Sequence, residues 1–136
     1  MVTSEQMDEV TSGKISSYRD LRVWQFAIEI SVACYEVTKT FPKEEIYGLT
    51  SQIRRSSTSV AANIAEGYGR ENRGSFVQYL KIAQGSLKEL ETHLIVAGRI
   101  GLLRSAVLSD LLAQCEENGK MLGALIRTVQ RKKVNE

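Results

Sequence analysis

Apolar residues recur at intervals of three and four along most of this chain, in four blocks separated by short polar breaks. That interval is the helical one, whereas the alternation that marks a half-buried strand is sustained nowhere. The first block, residues 20–40, aligns Leu21, Trp24, Ile28, Ser31, Tyr35 and Thr38, with Ala27, Val32 and Val37 widening the stripe. Phe41-Pro42 closes it, because proline disfavours helix in the residue before it. After the connector KEEIYG the second block, residues 49–68, puts Leu49, Ile53, Val60, Ile64 and Tyr68 on one side. Glycines at 67, 69 and 74 break it. A third block starts near Ser75, where SFVQ fits a capping box with Ser75 as N-cap and Gln78 three residues on. Its stripe is Phe76, Tyr79, Leu80, Ala83, Leu87, Leu90, Leu94 and Ala97, and Gly98 and Gly101 mark a glycine C-cap. The fourth block starts near Ser105 and carries Leu108, Leu111, Leu112, Cys115, Leu122, Leu125, Ile126 and Val129. Four long amphipathic helices with short links predict an all-α chain folded as an antiparallel up-down four-helix bundle.

One hundred and thirty-six residues, 43% of them hydrophobic, is the size and composition of one domain with a real core. The predicted organisation is a disordered acidic tail over residues 1–17 and a bundle over residues 18–133. The net charge is +2, but residues 1–13 carry Glu5, Asp8 and Glu9 with no Lys or Arg. Taking that −3 out of the whole-chain +2 leaves +5 on residues 14–136, a modest basic surface that attracts polyanions. No run of about 18 apolar residues or signal-peptide core occurs, so neither a membrane span nor a leader is expected. Cys34 and Cys115 fall on apolar stripes and read as buried reduced thiols, which fits a cytoplasmic protein.

Searching for chemistry removes most enzyme classes. His93 is the one histidine, and ETHLI lacks the second histidine of a helical zinc motif. No phosphate-binding G-x-x-x-x-G-K-[ST] loop, nucleophile elbow or paired Glu-x-x-His pattern is present. The glycines of GYGRENRG follow a helix rather than a strand. The chain is therefore read as non-enzymatic, with no catalytic residue, metal or cofactor assigned.

The second block carries the most informative polar pattern, QIRRSSTSVAANIAEGYGR. Counting about 100° per residue from Leu49, residues Gln52, Arg55, Ser59, Asn63, Glu66 and Arg70 fall between about 240° and 320°. In the third block Ile82, Ser86, Glu89, His93 and Ile100 form a comparable stripe. A solvated helix face is usually rich in Lys and Glu, yet this second block has no lysine. Three roles fit: a hydrogen-bonded seam within or between subunits, a nucleic-acid contact, or a catalytic site. The seam would use Gln52, Arg54, Arg55, Ser59, Asn63, Glu66, Ser86 and Glu89, with Glu66 or Glu89 pairing Arg54 or Arg55 in a buried setting. Candidate phosphate contacts are Arg70 and Arg73 in the turn, and Arg127, Arg131, Lys132 and Lys133 at the end of the fourth block. Those last four also complement a helix C-terminus, so charge alone leaves both explanations open.

Three stretches, YRDLRVWQFAIEI, FPKEEIYGLTSQIRRSSTSVAANIAEGYGR and FVQYLKIAQGSLKELE, occur in this order from about Tyr18 to Leu103. Their combination FP-x-x-E-x-YGL-x-x-QIRR…NIAEG…GSLKELE resembles the 23S rRNA intervening-sequence protein family. The resemblance implies a four-helix bundle assembling as a homo-pentamer around a central channel. It implies a genetic setting in intervening sequences of ribosomal RNA genes, and kinship with an accessory protein of diversity-generating retroelements. That protein works with a reverse transcriptase and nucleic acid through a basic surface. The resemblance supplies no catalytic residue, and it makes Gln52, Arg54, Arg55, Asn63, Glu66, Gly67, Ser86, Glu89 and Glu91 the signature positions. The expected partners are other copies of the chain, RNA or DNA, and a reverse transcriptase or another protein. The expectation that follows is a nucleic-acid-binding oligomer, with a protein–protein scaffold as the competing reading.

Overall fold

The computed structural model describes residues 15–134, with side chains to residue 131. Four helices carry the fold: α1 (Arg22–Thr38), α2 (Leu49–Tyr68), α3 (Arg73–Arg99) and α4 (Ser105–Val134). One-turn 3₁₀ helices at Tyr18–Asp20 and Lys43–Glu45 precede α1 and α2, and no strand occurs among the described residues. Each helix packs on its sequence neighbour, α4 packs back on α1, and among the described residues the two diagonal pairs show no close backbone approach. The pairings step down one helix as they step up the next. Arg55 meets Glu89, Ser59 meets Ser86, and Glu66 meets Tyr79. Ser31 and Thr38 likewise meet Ser57 and Arg54, and Gly98 and Leu87 meet Leu108 and Gly119. This is the antiparallel up-down ring expected from short links.

The helix ends follow local chemistry. Asn72, not Ser75, caps α3: its side-chain oxygen accepts the Ser75 N–H at 2.8 Å, and the helix starts two residues before the predicted cap. An amide oxygen three residues upstream satisfies that orphan donor, so Ser75 falls inside the first turn. At the other end Gly101 has φ 87°, the left-handed conformation open to glycine. The Leu102 N–H reaches the Ala97 carbonyl at 2.9 Å and the Gly101 N–H reaches Gly98 at 3.2 Å, the paired bonds of a Schellman cap. The Glu45 carboxylate accepts the Leu49 N–H at 3.1 Å and so caps α2.

The stripe predicted for α3 is buried from Phe76 to Ala97, except for half-buried Tyr79. On α1 the buried face is instead Val23, Ala27, Ile30, Ser31, Cys34 and Thr38. Trp24 and Ile28 flank it half-buried, while Tyr35 and Val32 are exposed. The predicted α1 stripe is thus rotated from the true one, because this helix is apolar on too much of its circumference for periodicity to locate the core side.

Residues before 18 also pack on the bundle. Ile15 is buried and its carbonyl accepts the Tyr68 hydroxyl at 3.1 Å. Ser17 and Asp20 form a capping box, with the Asp20 carboxylate accepting the Ser17 N–H at 3.1 Å. The Tyr18 ring then meets Trp24 edge-to-face at 5.3 Å. Residues 15–17 belong to the bundle, and the rest of the predicted tail, residues 1–14, lies outside the described residues. No helix is long and apolar enough to cross a membrane among the described residues.

Candidate functional site

Small hydroxyl residues let α2 approach both its neighbours. Ser57 and Ser31 share a buried hydrogen bond of 3.0 Å toward α1. Ser59 and Ser86 share one of 2.9 Å toward α3, and the Asn63 amide donates to the Ser59 carbonyl at 2.8 Å and hydroxyl at 3.1 Å. These short side chains satisfy each other where long ones would wedge the helices apart. Of the residues in the expected seam, the structure brings Ser59, Asn63 and Ser86 together, and a second hydroxyl pair joins Ser31 to Ser57. Ser31 stood inside an apolar stripe, which was the sequence signal for that second pair.

The charged members of the predicted seam behave differently. Arg55 donates to Gln52 Oε1 at 2.7 Å and to Glu89 Oε1 at 3.5 Å. The Arg55 and Glu89 side chains are 66% and 45% exposed, so the expected buried ion pair is a surface pair within this chain. Such pairs contribute only about 0–1 kcal/mol. Arg54 has no carboxylate partner among the described residues. Its Nε donates to Thr38 Oγ1 at 2.9 Å and its guanidinium lies 4.7 Å from the centre of the Tyr35 ring. Glu66 pairs with neither Arg54 nor Arg55. It accepts from Arg70 at 2.9 Å and from the Tyr79 hydroxyl at 3.2 Å, and Arg70 lies over the Tyr79 ring at 4.9 Å. Arg70 lies four residues from Glu66, whereas Arg55 and Arg54 lie eleven and twelve residues back on the same helix, about three turns away and out of reach. Half-buried His93 continues the stripe, 3.9 Å from Glu89.

The predicted phosphate contacts converge by topology. In the antiparallel ring the C-terminal end of α2, the N-terminal end of α3 and the C-terminal end of α4 share one end of the bundle. Arg70, Arg73 and Arg131 stand there, and Arg127 lies one turn before Arg131 on α4. Arg70 is held by Glu66 and Tyr79, Arg73 is half-buried in the first turn of α3, and exposed Arg131 donates to Thr128 at 3.3 Å. Lys132 and Lys133 continue α4, but their side chains lie outside the described residues. The opposite end and the α2–α3 flank expose apolar side chains instead: Ile46, Tyr47, Ile82, Val96 and Ile100.

Asn118 is the most deeply buried polar residue described on α4, and the sequence pattern assigned it no role. Asn118 is fully buried on α4, and its amide donates to the Val23 carbonyl of α1 at 3.2 Å. Its position three after Cys115 and four before Leu122 placed it on the apolar stripe, where a lone amide is a pointer to an interhelix bond.

Cys34 and Cys115 are both free and buried. Burial pushes the Cys34 thiol up to about 12 against a small opposing effect of the Ser57 hydrogen bond. Burial likewise pushes Cys115 up to about 12, helped by Cys34 and Glu91 and opposed by Lys88. Folding therefore keeps both thiols protonated where the unfolded chain would ionise them. The associated stability is complete below the ordinary thiol value of 9.0 and is lost as pH rises from there toward about 12. Urea midpoints measured across that window should fall more steeply for the wild type than for Cys34→Ala/Cys115→Ala. Parallel curves would show that the thiols do not contribute.

Among the described residues no three His, Cys, Asp or Glu side chains are grouped to hold a metal ion. What the arrangement offers is an interhelix hydroxyl seam, a basic end, and an apolar flank.

The comparisons agree with this architecture. A solved structure from Bacteroides thetaiotaomicron, described as a protein with unknown function from the S23 ribosomal protein family, superposes with a TM-score of 0.72 at 26% identity. The match covers 77% of this chain and 95% of that one. No curated protein matches the chain. The family model for the 23S rRNA-intervening sequence protein matches residues 19–124, which spans all of α1 to α3 and most of α4. The chain is a member of the 23S rRNA-intervening sequence protein family.

Proposed function

We propose that this chain is a non-enzymatic, self-associating bundle that binds RNA or an RNA–DNA hybrid through its phosphates, in a cytoplasmic setting. The supporting observation is the arrival of Arg70, Arg73 and Arg131 at one end of the bundle from three different helices, with Arg127 one turn further up α4. Positive charge gathered by the fold onto one end attracts a polyanion more strongly than the same charge dispersed. Binding of this kind weakens steeply with salt, with a slope that reports the phosphates neutralised. Titration of labelled RNA at ~50 mM and ~200 mM salt checks it, and an absence of RNA or DNA binding at the lower salt ends the proposal.

Self-association, with a pentamer as the expected number, is supported by the exposed Ile82, Val96 and Ile100 beside the polar stripe of α3. Exposed apolar residues grouped on one flank are covered by association. The chain mass is 15.2 kDa, and light scattering that returns that value at micromolar concentration overturns this part. A second reading, a scaffold for another protein such as a reverse transcriptase, is favoured by Ile46 at 53% and Tyr47 at 95% exposure on the α1–α2 connector. A specific protein that co-purifies after nuclease and high-salt treatment would select it over nucleic-acid binding.

A further inference from the structure

A trough of about 590 Å³ runs between α3 and α4, on a side of the bundle away from the seam. Lys81, Gln84 and Lys88 line it from α3, and Glu116, Gly119 and Lys120 line it from α4. Its depth comes from missing side chains. A Cβ on Gly119 would sit 3.5 Å from Leu87, and one on Gly123 would sit 3.3 Å from the Arg127 guanidinium and 3.9 Å from the Gln84 amide.

These contacts also set the register. With Leu87 against Gly119 and Gln84 against Gly123, Lys88 stands level with Lys120, and Lys81 stands level with Arg127. Each helix thus places two cations seven residues apart, about 10.5 Å along its axis. The result is two short rows of positive charge on either side of a recess.

Two carboxylates temper the charge. Glu116 lies 3.8 Å from Lys120 and Glu91 lies 3.2 Å from Lys88. The two lysines remain 64% and 74% exposed in those pairs. The Lys120–Glu116 pair is exposed on both sides and contributes about 0–1 kcal/mol, so a phosphate can displace it at little cost, whereas Glu91 is only 19% exposed and holds Lys88 more firmly. Lys81 and Arg127 have no carboxylate within ion-pair distance among the described residues. No aromatic ring lines the trough. Binders of single strands draw much of their affinity from bases stacked on such rings.

We propose that the α3–α4 trough, with Lys81, Lys88, Lys120 and Arg127 on its rims, seats the phosphate ridge of a base-paired nucleic acid without reading its sequence. This rests on the nucleic-acid reading above, adds to the basic end a second contact along the α3–α4 side, and says which form of nucleic acid it takes. Cations in two rows match the repeating charge of a backbone, and the lack of stacking partners leaves phosphate as the group recognised.

The test is fluorescence anisotropy with the full chain, titrating a 20-base-pair RNA duplex, its single strand, and inorganic polyphosphate over a series of salt concentrations. Four phosphate contacts in the trough contribute about −3.6 to the duplex slope of log affinity on log salt, in addition to whatever the basic end contributes. The variant Lys81→Ala/Lys88→Ala/Lys120→Ala is expected to reduce the magnitude of the wild-type slope by about 2.7 and to weaken duplex binding more than about tenfold at ~50 mM salt. The control Lys39→Ala/Lys43→Ala, on the opposite end, should bind as wild type. Lys81→Gln/Lys88→Gln/Lys120→Gln keeps the side-chain stems and should repeat the loss even if the alanine variant unfolds. A lysine variant that keeps wild-type affinity and slope overturns the trough while leaving nucleic-acid binding itself standing. Equal or tighter binding of the single strand or of polyphosphate overturns the assignment to a base-paired ligand. Absence of binding by the wild type to any of the three removes both the trough and the reading beneath it.

Discussion

Leu90→Ala is expected to lower the unfolding free energy by ~2–5 kcal/mol, as large-to-small changes at packed sites do. Leu90 sits midway along α3 and is 0% exposed, with Leu87, Leu94, Ile53, Ile64 and Leu122 also fully or almost fully buried. Helix α3 packs on both α2 and α4, so a void at its centre cannot close by moving one neighbour without loosening the other. The loss is a large share of the ~5–15 kcal/mol that holds an ordinary domain. Urea unfolding at one fixed protein concentration measures it, since self-association would otherwise shift the midpoint by mass action. A shift under ~1 kcal/mol would mean that the centre of α3 is not tightly packed.

Gly67→Ala is expected to destabilise the bundle even though helix propensity predicts the reverse. Within a helix interior alanine is favoured over glycine by about 0.5–1 kcal/mol. At Gly67, however, the new Cβ would lie 2.6 Å from Tyr79 Cβ and 3.3 Å from the Phe76 carbonyl oxygen. A Cβ and a backbone carbonyl have no rotamer by which to retreat, so α2 and α3 must separate near the seam. Overpacking of this kind costs ~1–3 kcal/mol, which exceeds the propensity gain. Gly85→Ala is the contrast. Nothing lies within 4 Å of its Cβ position, and it should stabilise by the propensity difference. Thermal melts of the pair therefore have opposite expected signs. Stabilisation by both would show that α2 and α3 do not meet at Gly67.

The same residue shows the limit of reading punctuation in a sequence. Gly67 lies inside α2, which runs to Tyr68, and Gly74 lies in the first turn of α3. Breaker and spacer look alike until the facing helix is in place. Gly101, by contrast, ends α3 by a local positive φ, which requires no neighbour and was legible in advance. Arg55 and Glu89 do meet, as the two stripes suggested, but water reaches both. A helical wheel gives the angle of a side chain and not the depth of the surface it points from.

What was written into the chain locally is the number of helices, their approximate ends, and the α3 stripe from Phe76 to Ala97. Those depend on a 3.6-residue period and on caps, both of which act within one or two turns. The family signature was likewise legible, because it is a property of residue order. Tertiary packing settled what depends on neighbours distant in sequence. It turned α1 so that Val23, Ile30 and Cys34 face inward in place of Trp24, Ile28 and Tyr35. It gave Glu66 to Arg70 rather than to Arg55, and brought Asn118 to Val23 across 95 residues. It also carried the arginines of three helix ends to one end of the bundle, and set Lys88 level with Lys120 across the trough. Periodicity assigns each helix a face, but the partner of that face follows from how four such faces close around one core.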